Sequence, residues 1–309
     1  MRTLLRLSRH GFDRLDNLRE GPGARRVLAT GLIAAYVAGL VVIELNRQGW
    51  LPAPFAGGLP TNHFHAFDVA FTLLLIVEIV ELVFGLATSV AGAVGKQFEI
   101  FSLILLRDSF KELVYFQEPI QWTLGDETAR EAVQLILTDA VGALLIFVTI
   151  GVYYKLQRNQ PITESQAQQH QFVDAKKLVS NLLLASLAAL GVYTIVVLVR
   201  RGEPIAFFDT VYTVLIFIDV LIVLVSLRYS ASYYVVFRNF GFAAATVMLR
   251  LALAGPPYVD AALGLGAALF CVGLTVAYNY VSPAMQQSRL ASQRRRVLTG
   301  EAVASEEDA

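Results

Sequence analysis

Acidic residues recur at matching positions inside two strongly apolar stretches of the sequence. The stretch FDVAFTLLLIVEIVELV at 67–83 aligns with FDTVYTVLIFIDVLIVL at 208–224. The aligned acidic residues are Asp68 with Asp209 and Glu78 with Asp219. Carboxylates inside lipid can take up protons and so change their charge, which is the chemistry that proton or cation handling needs. A repeat of this kind also predicts a duplicated membrane unit.

Each acidic stretch is followed by a helix-length segment that carries basic residues. Counting about 1.5 Å of rise per residue, we expect Asp219 and Arg238 at one depth, and Asp209 and Arg250 together near the outer surface. Pairing lowers the free-energy cost of burying a charge in lipid. We therefore predict these two ion pairs between neighbouring helices.

The first half repeats this arrangement loosely, with more charges than one-to-one pairing would use. Its charged candidates are Asp68, Glu78, Glu81, Lys96, Glu99, Arg107, Asp108 and Lys111. Glu78 and Glu81 share one predicted helix face near the depth of Lys96 and, less closely, of Arg107. At the outer end, Asp68 is expected to meet Lys111. Two interpretations stay open: buried pairs that fix helix register, or charges that line a water-filled or ion-coupled pathway.

These charges need a scaffold of membrane helices. Hydrophobic residues make up 56% of the chain, charged residues 16%, and the mean hydropathy is +0.57, which is too apolar for a soluble domain. A span takes about 20 mostly apolar residues. The candidate spans are 27–43, 67–89, 93–115, 133–154, 178–199, 207–227, 233–254 and 258–280. Because they are long and lack a period of two, we predict an all-α integral membrane protein with eight transmembrane helices.

Lysine and arginine are concentrated on one predicted side of the membrane. They cluster in the N-terminal segment 1–26, the linker 157–177 and the tail 282–309. The positive-inside rule then places both termini in the cytoplasm. The polar linker separates two predicted four-helix repeats, 27–156 and 178–281, which are parallel because each contains an even number of spans.

The N-terminal segment 1–26 mixes seven arginines with scattered large apolar residues. It lacks the continuous apolar core of roughly 7–15 residues that a signal peptide has. We predict a cytoplasmic amphipathic helix that lies on anionic lipid, with a merely solvated basic arm as the alternative.

Small residues in several spans, including Gly264 and Gly266, suit close helix packing or a homo-oligomer.

Motifs for catalysis or metal binding are weak. His63 and His65 could share a metal ion only if the backbone between them is extended, and a position at the membrane interface is the favoured interpretation. The single cysteine, Cys271, lies in an apolar run, and the sequence has no phosphate-binding loop, zinc-protease motif or nucleophile elbow. We predict no enzyme, no cofactor, no metal and no nucleic-acid partner.

A spaced set of charged, aromatic and hydroxyl residues lies in the second half. Its members are Arg238, Phe240, Thr246, Arg250 and Asp260 within 237–280, with Asp219, Arg228 and Tyr229 upstream. Through these residues, the segment from about 205 to 281 resembles the phosphate-starvation-inducible E (PsiE) family of bacterial inner-membrane proteins. The first half fits through Glu78, Lys96, Phe98 and Asp139. There Asp108 occupies the place of the second arginine, with Arg107 beside it. The resemblance implies a tandem duplication of a four-span protein, located in the inner membrane and linked to stress or phosphate limitation.

Taken with the charges, this organisation predicts a protein that moves or senses an ion or small solute. The predicted route follows the charged seams between the second and third spans of each half. The alternative is a membrane scaffold or stress-response module that transports nothing and binds a partner or lipid through its basic arms.

Overall fold

The computed structural model describes residues 11–19, 21–52, 58–85, 90–120, 125–157, 166–201, 206–227 and 233–280. Within these ranges every regular element is helical. The helices are α1 (residues 11–19), α2 (Pro22–Arg47), α3 (His65–Gly85), α4 (Val90–Lys111), α5 (Glu127–Leu156), α6 (Gln166–Arg201), α7 (Phe207–Leu227), α8 (Tyr233–Leu253) and α9 (Val259–Tyr280). A 3₁₀ turn, Glu112–Tyr115, follows α4.

Six of the described helices are long and apolar enough to cross a membrane: α2, α5, α6, α7, α8 and α9. This confirms the prediction of an all-α, multi-pass membrane protein. The other two predicted spans correspond to α3 and α4, which have spanning length at 21 and 22 residues. They are also the helices that carry the charges of the first half, and it is this charge content, not a lack of length, that separates them from the other six. The count of eight spans and the parallel repeat stay predictions.

Several predicted features fall partly or wholly outside the described residues. These are the first ten residues, most of the polar part of the linker (158–165), the pair Arg228 and Tyr229, and the tail 282–309. From Gln166 onward the linker is helical, because α6 begins there and continues without a break into the apolar segment.

Helices α4, α5, α8 and α9 share one hydrophobic core. Small residues let their backbones approach closely. A Cβ atom added to Gly142 on α5 would lie 2.9 Å from the Cβ of Ala261 on α9, and one added to Gly264 on α9 would overlap the ring of Phe101 on α4. The third and fourth helices of the two halves therefore pack directly against each other.

A second core joins α3, α4, α6 and α7. It includes Leu215 of α7 and Leu183 of α6, which are almost completely buried, and Ile104 of α4. Because α4 contributes to both cores, it lies between them. Helices α2 and α6 are peripheral, and their exposed apolar side chains, such as Val27 and Ile195, suit contact with lipid.

Helix α1 packs against one end of this bundle. The ring of Phe12 is buried and lies 5.1 Å from the ring of Phe84 at the end of α3. The Nζ of Lys177 donates to Asp13 Oδ1 at 2.6 Å, which ties α1 to α6. Part of the predicted amphipathic N-terminal helix is thus present, and it is anchored by protein contacts. Leu18, on the same helix, is exposed.

Candidate functional site

Asp219 of α7 and Arg250 of α8 form an ion pair deep inside the bundle. The Nε atom of Arg250 lies 3.6 Å from Asp219 Oδ2, and their side chains are 0% and 4% exposed. Arg250 Nη2 donates a hydrogen bond of 3.1 Å to Gln97 Oε1 on α4. The arginine of the second half is therefore bound by a residue of the first half. Its Nη1 makes no hydrogen bond within the described part of the chain.

The predicted pairs Asp219–Arg238 and Asp209–Arg250 are wrong. Depth counting compared the levels of backbone atoms, but every Cα–Cβ bond in a helix tilts toward the helix N-terminus. In antiparallel α7 and α8 this tilt brings the side chains of Asp219 and Arg250 toward each other and turns Arg238 away. The length of the arginine side chain covers the remaining offset along the helix axis.

Arg238 instead contacts the last described helix. Its guanidinium carbon lies 4.8 Å from the centre of the Tyr278 ring on α9. This cation–π contact partly compensates a side chain that is buried with only 8% exposure. Asp209, at the start of α7, is exposed at the surface of the bundle.

Glu78 of α3 and Arg107 of α4 reproduce the same arrangement in the first half. Arg107 Nη1 lies 3.7 Å from Glu78 Oε2, and their side chains are 5% and 9% exposed. Arg107 Nη2 also lies 3.2 Å from Asp108 Oδ1. The partner of Glu78 is thus Arg107, which the sequence ranked behind Lys96. Again an acidic residue on one helix meets an arginine near the end of the next.

The remaining candidates mostly pair with neighbours on their own helix. Lys96 binds Glu99 at 3.0 Å. Lys111 binds Asp108 at 3.1 Å, so the predicted Asp68–Lys111 pair is wrong. Partners at i and i+3 need no crossing between helices, and this makes them the easier choice at an exposed position.

Two further candidates bind outside the predicted seam. The Nδ1 atom of His65 lies 3.3 Å from Asp68 Oδ2 one turn along α3. Glu81 Oε1 lies 4.0 Å from Arg19 of α1, at the limit of an ion pair. The charged residues of α3 therefore serve three different contacts: one at each end of the helix and the buried pair between them.

Two cavities lie along the seam where α4, α7 and α8 meet. We call the end of the bundle where α4 finishes the Lys111 end, and the end where α4 begins the Lys176 end. The cavity toward the Lys111 end measures about 190 Å³. Its polar lining residues are Arg107, Asp108, Lys111, Asp209, Tyr212 and Asp260. The cavity toward the Lys176 end is smaller, about 40 Å³, with Gln97, Lys176, Asp219 and Thr246 as its polar lining.

A thin buried layer separates the two cavities. On α8, Thr246 lines one cavity and Ala252 lines the other, a separation of about 9 Å along the helix axis. Leu249 and Arg250 lie between them, and Leu215 of α7 occupies the same layer, each with 0% exposure. The Asp219–Arg250 pair thus stands at the boundary between a space near one end of the bundle and a space near the other.

Carboxylates dominate the Lys111 end of the seam. The larger cavity is lined by three aspartates and two basic residues. Asp139 of α5 lies nearby, since its charge interacts with those of Asp108 and Asp260. It is buried with 5% exposure, and its Oδ1 atom has no hydrogen-bond partner within the described ranges. The charge of this region therefore favours cations over anions.

The histidines predicted at the interface bind carboxylates. His63 Nδ1 lies 2.8 Å from Glu118 Oε2, and its Nε2 lies 3.1 Å from Glu44 Oε2. It bridges the end of α2 to the segment before α5, while His65 pairs with Asp68. No cluster of three or more His, Cys, Asp or Glu side chains placed to hold a metal ion occurs among the described residues.

Sequence reasoning missed Gln97, Lys176 and Tyr278 as parts of the site. Gln97 directly follows Lys96. Only charged residues were selected as candidates in this segment, so the neutral side chain of Gln97 was passed over. Lys176 was counted as a linker residue, yet it is only 2% exposed because α6 extends past it into the bundle. Tyr278 lies near the end of the last predicted span, where an aromatic residue suits the membrane interface. Only the packing of α8 on α9 reveals its contact with Arg238.

Comparisons with known proteins add no relative. No family model, no curated protein and no solved structure matches the chain. The resemblance to the PsiE family therefore stays a prediction.

Proposed function

We propose that the chain is a bacterial inner-membrane protein that moves or senses an ion or small solute along the seam between α4, α7 and α8. The observation that carries the proposal is the pair of cavities on opposite sides of the buried Asp219–Arg250 contact. A transported species needs access from each side and a barrier between them. Intramembrane ionisable residues at such a barrier commonly mark a pathway.

The polar groups at the barrier support a species that exchanges protons or positive charge. Asp219 Oδ2 and two nitrogens of Arg250 have no hydrogen bond to other described residues. The adjoining 40 Å³ cavity is larger than the roughly 10–15 Å³ that a water molecule requires. Water or a hydrated proton entering from the Lys176 end would therefore meet the carboxylate of Asp219 directly.

Protonation of Asp219 is the proposed switching event. A neutral Asp219 loses its electrostatic attraction to Arg250, and the arginine then keeps only its hydrogen bond to Gln97. Arg250 could turn toward Asp108 and Asp209 in the larger cavity, which would open the barrier layer between α7 and α8. The excess of carboxylates at the Lys111 end supports a proton or small cation as the species handled.

The resemblance to the PsiE family belongs to this proposal as well. A tandem pair of four-helix repeats accounts for two equivalent ion pairs, Glu78–Arg107 and Asp219–Arg250, each joining the second and third helix of its half. With the positive-inside rule, both termini and the Lys176 end face the cytoplasm. A role in the response to stress or phosphate limitation follows from the family alone.

The alternative is a membrane scaffold that transports nothing. The buried layer between the two seam cavities favours a scaffold, because its residues Leu215, Leu249 and Arg250 are completely buried and leave no open passage between the cavities. The exposed apolar faces of α2 and α6 could then hold a second copy of the chain or another membrane protein. In that case the buried pairs fix helix register only.

A flux measurement separates the two functions. Purified protein in liposomes with an internal pH dye is exposed to a proton gradient, and in parallel to potassium and sodium gradients. We expect a flux above that of empty liposomes, lowered at least about tenfold by Asp219→Asn. The matched control is Glu127→Gln, because Glu127 is an exposed acidic residue at the start of α5.

The controls decide the outcome. Glu127→Gln should retain the full flux, and size-exclusion profiles should show that both variants are folded. Absence of flux under every gradient would reject transport. Equal loss of flux in both variants would reject the assigned role of Asp219. An unchanged flux in Asp219→Asn would reject the assigned seam while leaving transport by another route.

A further inference from the structure

A third cavity, away from the seam, opens where α1, α2, α3 and α4 meet at the Lys176 end. It measures about 370 Å³, nearly twice the volume of the larger seam cavity. Its lining residues are Arg19, Arg25, Leu28, Ile76, Val77, Val80, Glu81 and Lys96. The cavity is therefore basic at its rim and apolar along its wall.

The charges of this cavity suit an anionic ligand. Three of its lining residues are basic and one is acidic. Arg25 is exposed, and Lys96 is half exposed with its only described ion pair to Glu99 on the same helix. Arg19 forms an ion pair of 2.9 Å with Asp16 on its own helix. Its contact with Glu81 is long, at 4.0 Å, and partly exposed, so a phosphate competes there with a weakly held carboxylate.

The apolar wall identifies the kind of anion. Leu28 and Ile76 are exposed large apolar side chains, and Val77 and Val80 continue the same surface along α3. A free phosphate or a soluble metabolite would leave this wall in contact with water. An acyl chain would cover it, because the wall belongs to helices that face the bilayer. The basic rim is complementary to the anionic headgroup of a phospholipid, and the apolar wall is complementary to its acyl chain.

Helix α1 is fixed at the rim of this cavity. This helix is held on the bundle by the burial of Phe12 against Phe84 and by the Lys177–Asp13 ion pair. It therefore keeps Arg19 at the rim of the cavity, where the guanidinium also lies 4.9 Å from the centre of the Phe84 ring. Arg14, Arg25 and Arg26 are described at this end of the bundle as well, and such a group of basic residues attracts anionic lipid from the surrounding leaflet.

We propose that this cavity binds one anionic phospholipid. Its phosphate contacts Arg25 and Lys96 and competes with Glu81 for Arg19, and one acyl chain lies along Leu28, Ile76 and Val77. The site is separate from the seam and does not depend on transport. It converts a general attraction of the N-terminal segment to lipid into one stoichiometric binding site.

Native mass spectrometry of the full chain in detergent tests the proposal. The protein is titrated with phosphatidylglycerol and, separately, with phosphatidylcholine of the same acyl chains. We expect one tightly bound phosphatidylglycerol and a clear preference over phosphatidylcholine. The double variant Arg25→Gln with Lys96→Gln should weaken phosphatidylglycerol binding about tenfold or more, because both of these positive charges near the lipid phosphate are lost.

A matched control removes two positive charges elsewhere, in Arg130→Gln with Lys155→Gln on α5, and should change the affinity less than about twofold. A second variant, Val77→Trp, fills the cavity without changing its charge and should also reduce lipid binding. Equal loss in the control, no preference between the two lipids, or normal binding in Val77→Trp would overturn the proposal. Displacement of the lipid by inorganic phosphate alone would assign the site to a free anion.

Discussion

Arg250 on α8 and Gln97 on α4 are joined by a buried hydrogen bond of 3.1 Å that connects the two halves of the chain. The same arginine is the ion-pair partner of Asp219 within its own half. One side chain therefore couples an interaction inside the second half to the position of a helix from the first. The charged seam is shared between the halves, whereas the sequence had suggested one seam in each.

Removing one member of the central pair should destabilise the fold more than removing both charges. Arg250→Met leaves the buried carboxylate of Asp219 without a partner, at a cost of about 3–5 kcal/mol. The double variant Arg250→Met with Asp219→Asn should recover much of that loss. Thermal unfolding in detergent, followed by intrinsic fluorescence, measures both. Equal melting temperatures for the single and double variants would contradict the assigned pair.

The contact between Arg238 and Tyr278 should depend on the aromatic ring. Tyr278→Phe keeps a ring under the guanidinium and should be nearly neutral, whereas Tyr278→Leu should lower stability by about 0.5–2 kcal/mol. Combining Tyr278→Leu with Arg238→Met tests the coupling in a double-mutant cycle. If the cycle gives no coupling energy, the observed 4.8 Å approach contributes no stability.

Two glycines on α9 should respond differently to the same substitution. A Cβ atom at Gly264 would overlap the Phe101 ring, while Gly266 has open space around its α-carbon. Gly264→Val should therefore push α9 away from α4 and lower the melting temperature by several degrees, a loss of roughly 1–3 kcal/mol for overpacking. Gly266→Val should stay close to the unaltered protein. Similar melting temperatures for both variants would contradict the close packing of these two helices.

Single-cysteine labelling should reveal opposite exposure of the two ends. Cys271 is the single cysteine of the sequence, so Cys271→Ala gives a cysteine-free background, and its melting temperature is the reference for the labelled variants. In that background, Asp209→Cys at the Lys111 end should react with a membrane-impermeant maleimide added outside intact cells. Gly23→Cys, at an exposed position near the start of α2, should react only after the cells are opened. Labelling of both from one side would reject the predicted orientation.

Composition and the length of the apolar runs were sufficient to predict most of the long helices and the charged residues within them. Glu78, Asp219, Arg107 and Arg250 are all buried, as the cost of isolated charges in lipid required. Their pairing could not be predicted by depth alone, because side-chain tilt shifts the level of a charged group away from its own backbone. The role of Gln97 was inaccessible for a different reason: it depends on contact between α4 and α8, which are far apart in sequence.

The packing partners of the small residues could not be predicted either. Gly264 was noted as a site for close packing, but the sequence could not say which helix it approaches. The answer, Phe101 of α4, again joins the two halves. Local sequence patterns predict which face of a helix can pack closely, while the arrangement of the whole bundle decides which helix packs against that face.

Helix α4 prevents the two halves of the chain from being separated without loss of packing, because it contributes to both hydrophobic cores. Its Phe101 and Leu105 complete one hydrophobic core and its Ile100 and Ile104 the other, while Gln97 holds the arginine of the second half. A chain ending after α5 would leave one flank of α4 uncovered, and a chain starting at α6 would lack the residue that receives Arg250. If the halves arose by duplication, the corresponding contact in the ancestral four-helix protein would have formed between two subunits of a dimer. Fusion would then have converted this subunit interface into an internal contact.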